Sequence, residues 1–313
     1  MYKYFLTISV VIGLTGSLLG QVFDFTPVFK NEFGIGFNHF FIKRNKIKCI
    51  TKVEFSKADN QLIEDQGNGS MLCFNEAGFM IYSSIWEAKS KSSDDRGRNK
   101  YAHDTINRFY GYDSIGHLTI LREIVKPMGL YFNSSYFTYD KTGNLFKSVL
   151  CTEYNRSENP MQFIVGIQKV KSMETYSYQV LTKEQTKRTF INDEGRPYKE
   201  GLQYFSGTGN LIGESYNYVA TWIKEKNTYQ YNDYGFLIEK KCTSNDGFDQ
   251  QEKYSYEFDE KGKVKTVCQY KKGEKLQETS FIYDEQSGMP TSEIRRDFTK
   301  KYIYISRYAY TYF

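Results

Sequence analysis

Apolar and polar residues alternate along most of the chain. From Lys253 to Phe258, the aromatic residues Tyr254, Tyr256 and Phe258 take turns with Lys253, Ser255 and Glu257. That period of two is the pattern of a half-buried strand. Four residues follow, Asp259 to Gly262, and the alternation then resumes at Val264, Thr266, Cys268 and Tyr270. Asp at the first position of a type I turn bonds its own backbone two residues on, and Gly at the fourth takes the left-handed conformation that completes a short hairpin loop. The segment is therefore expected to be a β-hairpin with one aromatic face. A lone hairpin is marginal in water, so its neighbours must stack against it.

The same pattern recurs. Gly235, Gly262 and Gly288 are 27 and 26 residues apart, and each follows an aromatic run ending in Tyr or Phe plus Asp or Asn. Related turns stand at Gly78, Gly116, Gly143, Gly195 and Gly209. A fixed period of this length marks a repeat architecture. The spacing stretches to 38 between Gly78 and Gly116, where residues 89–100 read as an exposed polar loop. It doubles to 52 between Gly143 and Gly195, which predicts a degenerate unit around Phe163 to Val170. Gly195 and Gly209 are only 14 apart, as if both ends of one hairpin carried the turn.

The stretch Tyr139-Asp140 to Gly143 and Leu145 resembles the YD repeat of the RHS (rearrangement hotspot) proteins, in which Tyr-Asp is followed by Gly and an apolar residue. Only Tyr112, Tyr139 and Tyr283 keep the Tyr-Asp pair, and the last has one extra residue in its turn. Residues 204–214 also resemble the MORN-type repeats of some bacterial antitoxin-like proteins. The resemblance covers residues 47–313 and implies a hairpin scaffold without a reaction of its own.

Residues 1–20 carry Lys3 and an apolar run, the arrangement of a secretory signal peptide, with cleavage expected before Gln21. No Cys follows the run, so no lipid anchor is expected. Residues 21–46 are read as an aromatic cap over the first unit, since repeat arrays need an atypical end. The aromatic content of 17% and the five prolines suit a sheet protein. A formal net charge of +5 is too mild to imply a nucleic-acid partner.

Candidate chemistry is sparse. His39, His103 and His117 have no metal-ligand spacing, so no catalytic, metal or cofactor residue is assigned. The five cysteines are scattered; Cys242 and Cys268 fall at similar places in adjacent units, where a disulfide competes with two buried thiols. Trp86 and Trp222 are candidate ligand-facing aromatics. The expected fold is all-β, with tandem antiparallel hairpins stacked into a curved or solenoid-like sheet. The expected role is an exported, non-enzymatic scaffold with a protein or glycan partner and no membrane span after signal removal. Alternatives are a carbohydrate-binding or cell-wall-associated protein, an immunity or antitoxin-like protein, and an outer-membrane barrel.

Overall fold

The computed structural model describes residues 38–58, 60–93, 99–124, 130–157 and 162–313. The expected signal peptide and most of the expected cap lie outside them. Helix α1 (His39–Arg44) leads into β1 (Ile47–Ala58), β2 (Glu64–Phe74), β3 (Met80–Ser93), β4 (Asn99–Tyr112), β5 (Leu118–Ile124) and β6 (Tyr131–Tyr139). There follow β7 (Leu145–Asn155), β8 (Val165–Thr182), β9 (Gln185–Ile191), β10 (Pro197–Phe205), β11 (Leu211–Tyr218) and β12 (Lys224–Tyr231). The last strands are β13 (Leu237–Ser244), β14 (Asp249–Phe258), β15 (Val264–Lys271), β16 (Glu274–Tyr283), β17 (Pro290–Asp297) and β18 (Tyr302–Tyr312).

Two compact units divide these strands. The first takes in the described residues through Phe79 with Tyr229–Lys240 and Gln250–Phe313, and the second takes in Met80–Thr228 with Lys241–Asp249. Within the first, β14 to β18 form an antiparallel meander, and β18 also pairs with β1, which pairs with β2. Within the second, β3 to β11 form another meander in sequence order.

All eighteen strands belong to one sheet whose first and last members are paired. This corrects the expectation of an open, curved or solenoid-like sheet: the hairpins are antiparallel as expected, but the last strand pairs with the first, so the strand order closes on itself. The reason lies in the last strand. The alternating run from Tyr302 finds a full-length partner in β1, from Ile47↔Tyr312 to Ala58↔Tyr302, and pairing removes an edge that would otherwise stay exposed.

The turns have one geometry. At Asp259 the carboxylate Oδ1 accepts the N–H groups of Lys261 (2.9 Å) and Lys263 (2.8 Å), while the Asp259 carbonyl accepts the Gly262 N–H at 3.0 Å. Asp113, Asp140, Asn192 and Asn232 repeat the arrangement. The eight turn glycines have φ between +69° and +93°, a region that β-carbon-bearing residues avoid. A register shift accompanies these turns, the bulge expected when a left-handed residue follows a type I turn. Two places beyond the glycine, Met80, Leu118, Leu145, Leu211 and Val264 are buried, whereas Leu237 is half-buried and Pro197 exposed.

Tyrosine hydroxyls tie successive hairpins together. Tyr112, Tyr139, Tyr256, Tyr283 and Tyr310 donate to the carbonyls of Met80, Leu118, Leu237, Val264 and Pro290, at 2.6–2.9 Å. Each acceptor is the first residue of the preceding strand. All three surviving Tyr-Asp pairs are among the donors, so the pair couples a turn former to a clasp on the neighbouring hairpin.

Other expectations change in detail. The polar loop at 89–100 is largely strand, since β3 runs to Ser93 and β4 resumes at Asn99. The surplus residues lengthen two paired strands. The degenerate unit around Phe163 to Val170 is not a hairpin of its own: Phe163 precedes β8, and the double period holds three strands, β7, the 18-residue β8 and β9. The disulfide joins Cys49 to Cys73, directly opposite on β1 and β2, and the competing pair, Cys242 and Cys268, forms no disulfide. Of the cap, the described part is α1, which buries Phe41 and Ile42 and packs on the turn at Gly78.

Candidate functional site

Strands β9 to β12 lay out two adjacent rows of side chains on one face. Lys187, Leu202, Ser215 and Lys226 are opposite one another across the four strands. Thr189, Glu200, Asn217 and Lys224 make the next row. Because side chains two apart on a strand share a face, the rows merge into one polar surface. Residues from both rows line a cavity of about 520 Å³, together with Tyr216, Glu225, Thr243, Ser244 and Asn245. That volume lies within the range of small-molecule sites.

The cavity's polar groups are unequally satisfied. Lys187 pairs with Glu200 at 2.8 Å, and Glu225 accepts the Tyr218 hydroxyl at 3.3 Å. Asn217 Oδ1 is buried and has no hydrogen-bond partner among the described residues. A buried amide oxygen without a donor costs roughly 1–3 kcal/mol, so the site is set for a group that can supply one. Asn245 shapes the rim: its Oδ1 accepts the Lys224 N–H at 2.8 Å and its Nδ2 donates to the Trp222 carbonyl at 3.0 Å. That bond holds Trp222 in a turn with φ +59° and its side chain in solvent, the residue being 77% exposed. Trp222 is not among the lining residues, but its carbonyl adjoins the rim through Asn245. Trp86 is half-buried on β3 opposite Thr105.

The reverse face of the same strands is rigid. Arg188 lies 4.4 Å from the ring centroids of both Tyr176 and Phe190, and Lys199 lies 4.0 Å from that of Tyr216. Gly201 makes room for this, since a Cβ there would come within 2.9 Å of the Tyr216 ring. Cations stacked on aromatic faces stiffen the wall behind the cavity.

A second cluster surrounds Glu153 on β7, which is fully buried. It accepts from Ser134 Oγ at 2.5 Å, Gln168 Nε2 at 2.8 Å and the Tyr136 hydroxyl, and Arg122 Nε lies 3.5 Å away. The Arg122 guanidinium in turn sits 4.0 Å over the Phe163 ring. Burial first, then the bond to Glu153, raises the Tyr136 hydroxyl above its usual range. Burial also pushes up the neighbouring Cys151 thiol, which leaves it a poor nucleophile. With its oxygens engaged by four side chains, this carboxylate acts as a structural node.

The sequence named Trp222, which does not line the cavity, and it missed the lining residues, which come from several strands. The turn Ser244 to Gly247, with φ +96° at Gly247, was missed too, although Asp246-Gly247 is itself a turn signal. His117 stacks on Tyr139 at 4.5 Å and bonds Asp113 at 3.1 Å; His39 stacks on Phe79 at 5.2 Å. His117 belongs to a turn and His39 opens α1.

No family model and no curated protein matches the chain. Solved structures show distant likeness. A porin-like protein from Bacteroides uniformis aligns over 85% of this chain and 97% of its own, with 11% identity and a TM-score of 0.41. A porin-like protein from Bacteroides vulgatus aligns over 85% and 98%, with 8% identity and a TM-score of 0.30. The TcdB2-TccC3-Cdc42 complex matches 74% of this chain, 14% of its own, at 13% identity and a TM-score of 0.21. Likeness this remote carries no functional conclusion. Among the described residues no helix is long and apolar enough to cross a membrane, which leaves strands open to that role.

Proposed function

We propose that the protein is an exported, non-enzymatic binding protein of YD-repeat type, and that its cavity at β9 to β12 takes a saccharide. The observation that carries this reading is the unmatched Asn217 oxygen within a cavity lined by Ser, Thr, Asn, Lys and Glu. Such a lining offers donors and acceptors side by side, which suits a ligand whose hydroxyls can do both. Trp222 at the rim supplies a flat apolar surface for the C–H face of a sugar ring. The carboxylate on the cavity face, Glu200, is engaged by Lys187, which favours holding over hydrolysis. Export accords with the Cys49–Cys73 disulfide, which persists in oxidising compartments.

The closed sheet also suits an outer-membrane barrel, but the side chains favour water. On β9 and β10, Lys187 and Glu200 occupy one face while Arg188 and Lys199 occupy the other. A lipid-facing wall needs an apolar band about 25 Å tall. Mid-strand charges on both faces interrupt it. Calorimetric titration with neutral and acidic oligosaccharides tests the proposal. One class should bind, and Asn217→Leu and Trp222→Ala should each weaken it about tenfold, the equivalent of one lost contact of about 1.4 kcal/mol. Binding indifferent to both substitutions, or no saccharide bound, would overturn it.

A further inference from the structure

Strand β8 is paired on both sides for only part of its length. β7 accompanies it from Val165 to Thr175, whereas β9 begins its pairing at Thr175 and continues to Thr182. From Val165 to Ser172 no strand among the described residues pairs the second edge, a row of backbone donors and acceptors about 26 Å long at 3.3 Å per residue. Side chains along it are unusually apolar for an open edge: Ile164, Val165, Ile167 and Val170 are 56%, 43%, 73% and 57% exposed. Hairpin turns elsewhere in the chain bring the next strand alongside at once. Here the β9–β10 hairpin is too short to cover the ribbon.

The charge of this edge is one-sided. Between Gln162 and Met173 stand Lys169 and Lys171 and no acidic residue. The carboxylates nearby are already engaged: Glu153 is buried among Ser134, Tyr136, Gln168 and Arg122, and Glu174 accepts the hydroxyls of Tyr176 (2.7 Å) and Tyr198 (2.5 Å). Lys171 reaches a neutral oxygen, Asn133 Oδ1, at 3.0 Å.

We propose that this edge recruits an acidic, extended segment of a partner protein by β-strand addition. Main-chain bonds along the open row would supply affinity, alternating apolar side chains would meet Ile167 and Val170, and carboxylates would meet the two lysines. The lysines also select against a second copy of this chain. Antiparallel self-pairing in the register centred on Val170 places Lys169 of one copy beside Lys171 of the other, a destabilising like-charge neighbour.

The test uses the full chain and two blocked eight-residue peptides, one alternating Val with Glu and one alternating Val with Lys, followed by fluorescence anisotropy. The Glu peptide should bind at least about tenfold more tightly than the Lys peptide. The double variant Lys169→Glu/Lys171→Glu should reverse that order. Hydrogen exchange should slow at the amides of 165–172 when the Glu peptide is present, and Asn217→Leu should leave all of this unchanged. Failure of both peptides to bind, a preference that survives the charge reversal, or a concentration-dependent dimer protecting the same amides would each overturn the proposal.

Discussion

From β14 to β18 the chain is regular, and from β7 to β11 it is not. In the first region the turn glycines keep their 26- to 27-residue spacing, and Tyr256, Tyr283 and Tyr310 clasp main-chain carbonyls. In the second the spacing doubles and then halves. There Tyr176, Tyr198, Tyr216 and Tyr218 give their hydroxyls to the carboxylates of Glu174, Glu214 and Glu225, a kind of bond that the first region adds to its carbonyl clasps at Tyr254 with Glu252 and Tyr308 with Glu293. A clasp onto the main chain asks nothing of the partner's identity, so it can be repeated along an array. A clasp onto a carboxylate needs a particular residue and carries charge inward. The irregular region accordingly holds the buried Glu153, the cavity and the open edge. Departures from the repeat mark where the molecule has specific side-chain chemistry.

The contrast is most exposed at Glu153. Glu153→Ala should cost about 3–5 kcal/mol in urea unfolding, because Arg122 would remain without its anionic neighbour. Replacing both, as Arg122→Met/Glu153→Leu, should recover much of that loss. A cost under about 1 kcal/mol for the single change would mean that the node is not held by charge.

Next come the turns. Gly78→Ala should cost about 3 kcal/mol, since positive φ is compounded by overlap with the backbone of α1 at His39. Gly262→Ala should cost about 1 kcal/mol, since its φ is +75° but nothing lies within 4 Å of the added carbon. Equal costs at both sites would show that α1 yields to the new atom.

Smaller again is the clasp itself. Tyr283→Phe should lose about 1 kcal/mol by stripping the Val264 carbonyl of its 2.7 Å donor. The same change at Tyr198 should cost more, because the deprived acceptor is the Glu174 carboxylate. Chemical denaturation of the two variants decides; the reverse order would dissolve the distinction between main-chain and carboxylate clasps.

How much of this was legible follows from the range of each interaction. The turns were legible because Asp259 and Gly262 act within four residues of each other. Strand alternation was legible for the same reason. Closure was not, because the pairing of Ile47 with Tyr312 joins the two ends of the strand series and leaves no local mark. The clasps were half-visible: the Tyr-Asp pair stood out, but its tyrosine read as an aromatic face when its hydroxyl reaches the adjacent hairpin. The cavity was invisible, since Lys187, Asn217 and Asn245 become neighbours only once four strands are in register.

The mildest prediction concerns acid. Asp140 sits in the turn that most closely matches the YD pattern, and the Thr142 hydroxyl (2.7 Å), then the Asn144 N–H (2.9 Å), hold its carboxyl below the usual carboxylate range. A folded pKa lowered in this way stabilises the fold above the unfolded value of about 3.9, and the contribution is lost as pH falls through the folded pKa. Asn keeps an oxygen that accepts the same N–H groups, as Asn192 and Asn232 show in their own turns. Asp140→Asn should therefore change little at neutral pH and flatten the decline in stability below about pH 4. Because the carboxylate is fully exposed, solvent screens it and the difference should be small. Urea midpoints for both proteins from pH 7 to pH 2 provide the comparison. Curves that stay parallel through the acid range would mean that the turn depends on the shape of its acceptor and draws nothing from its charge.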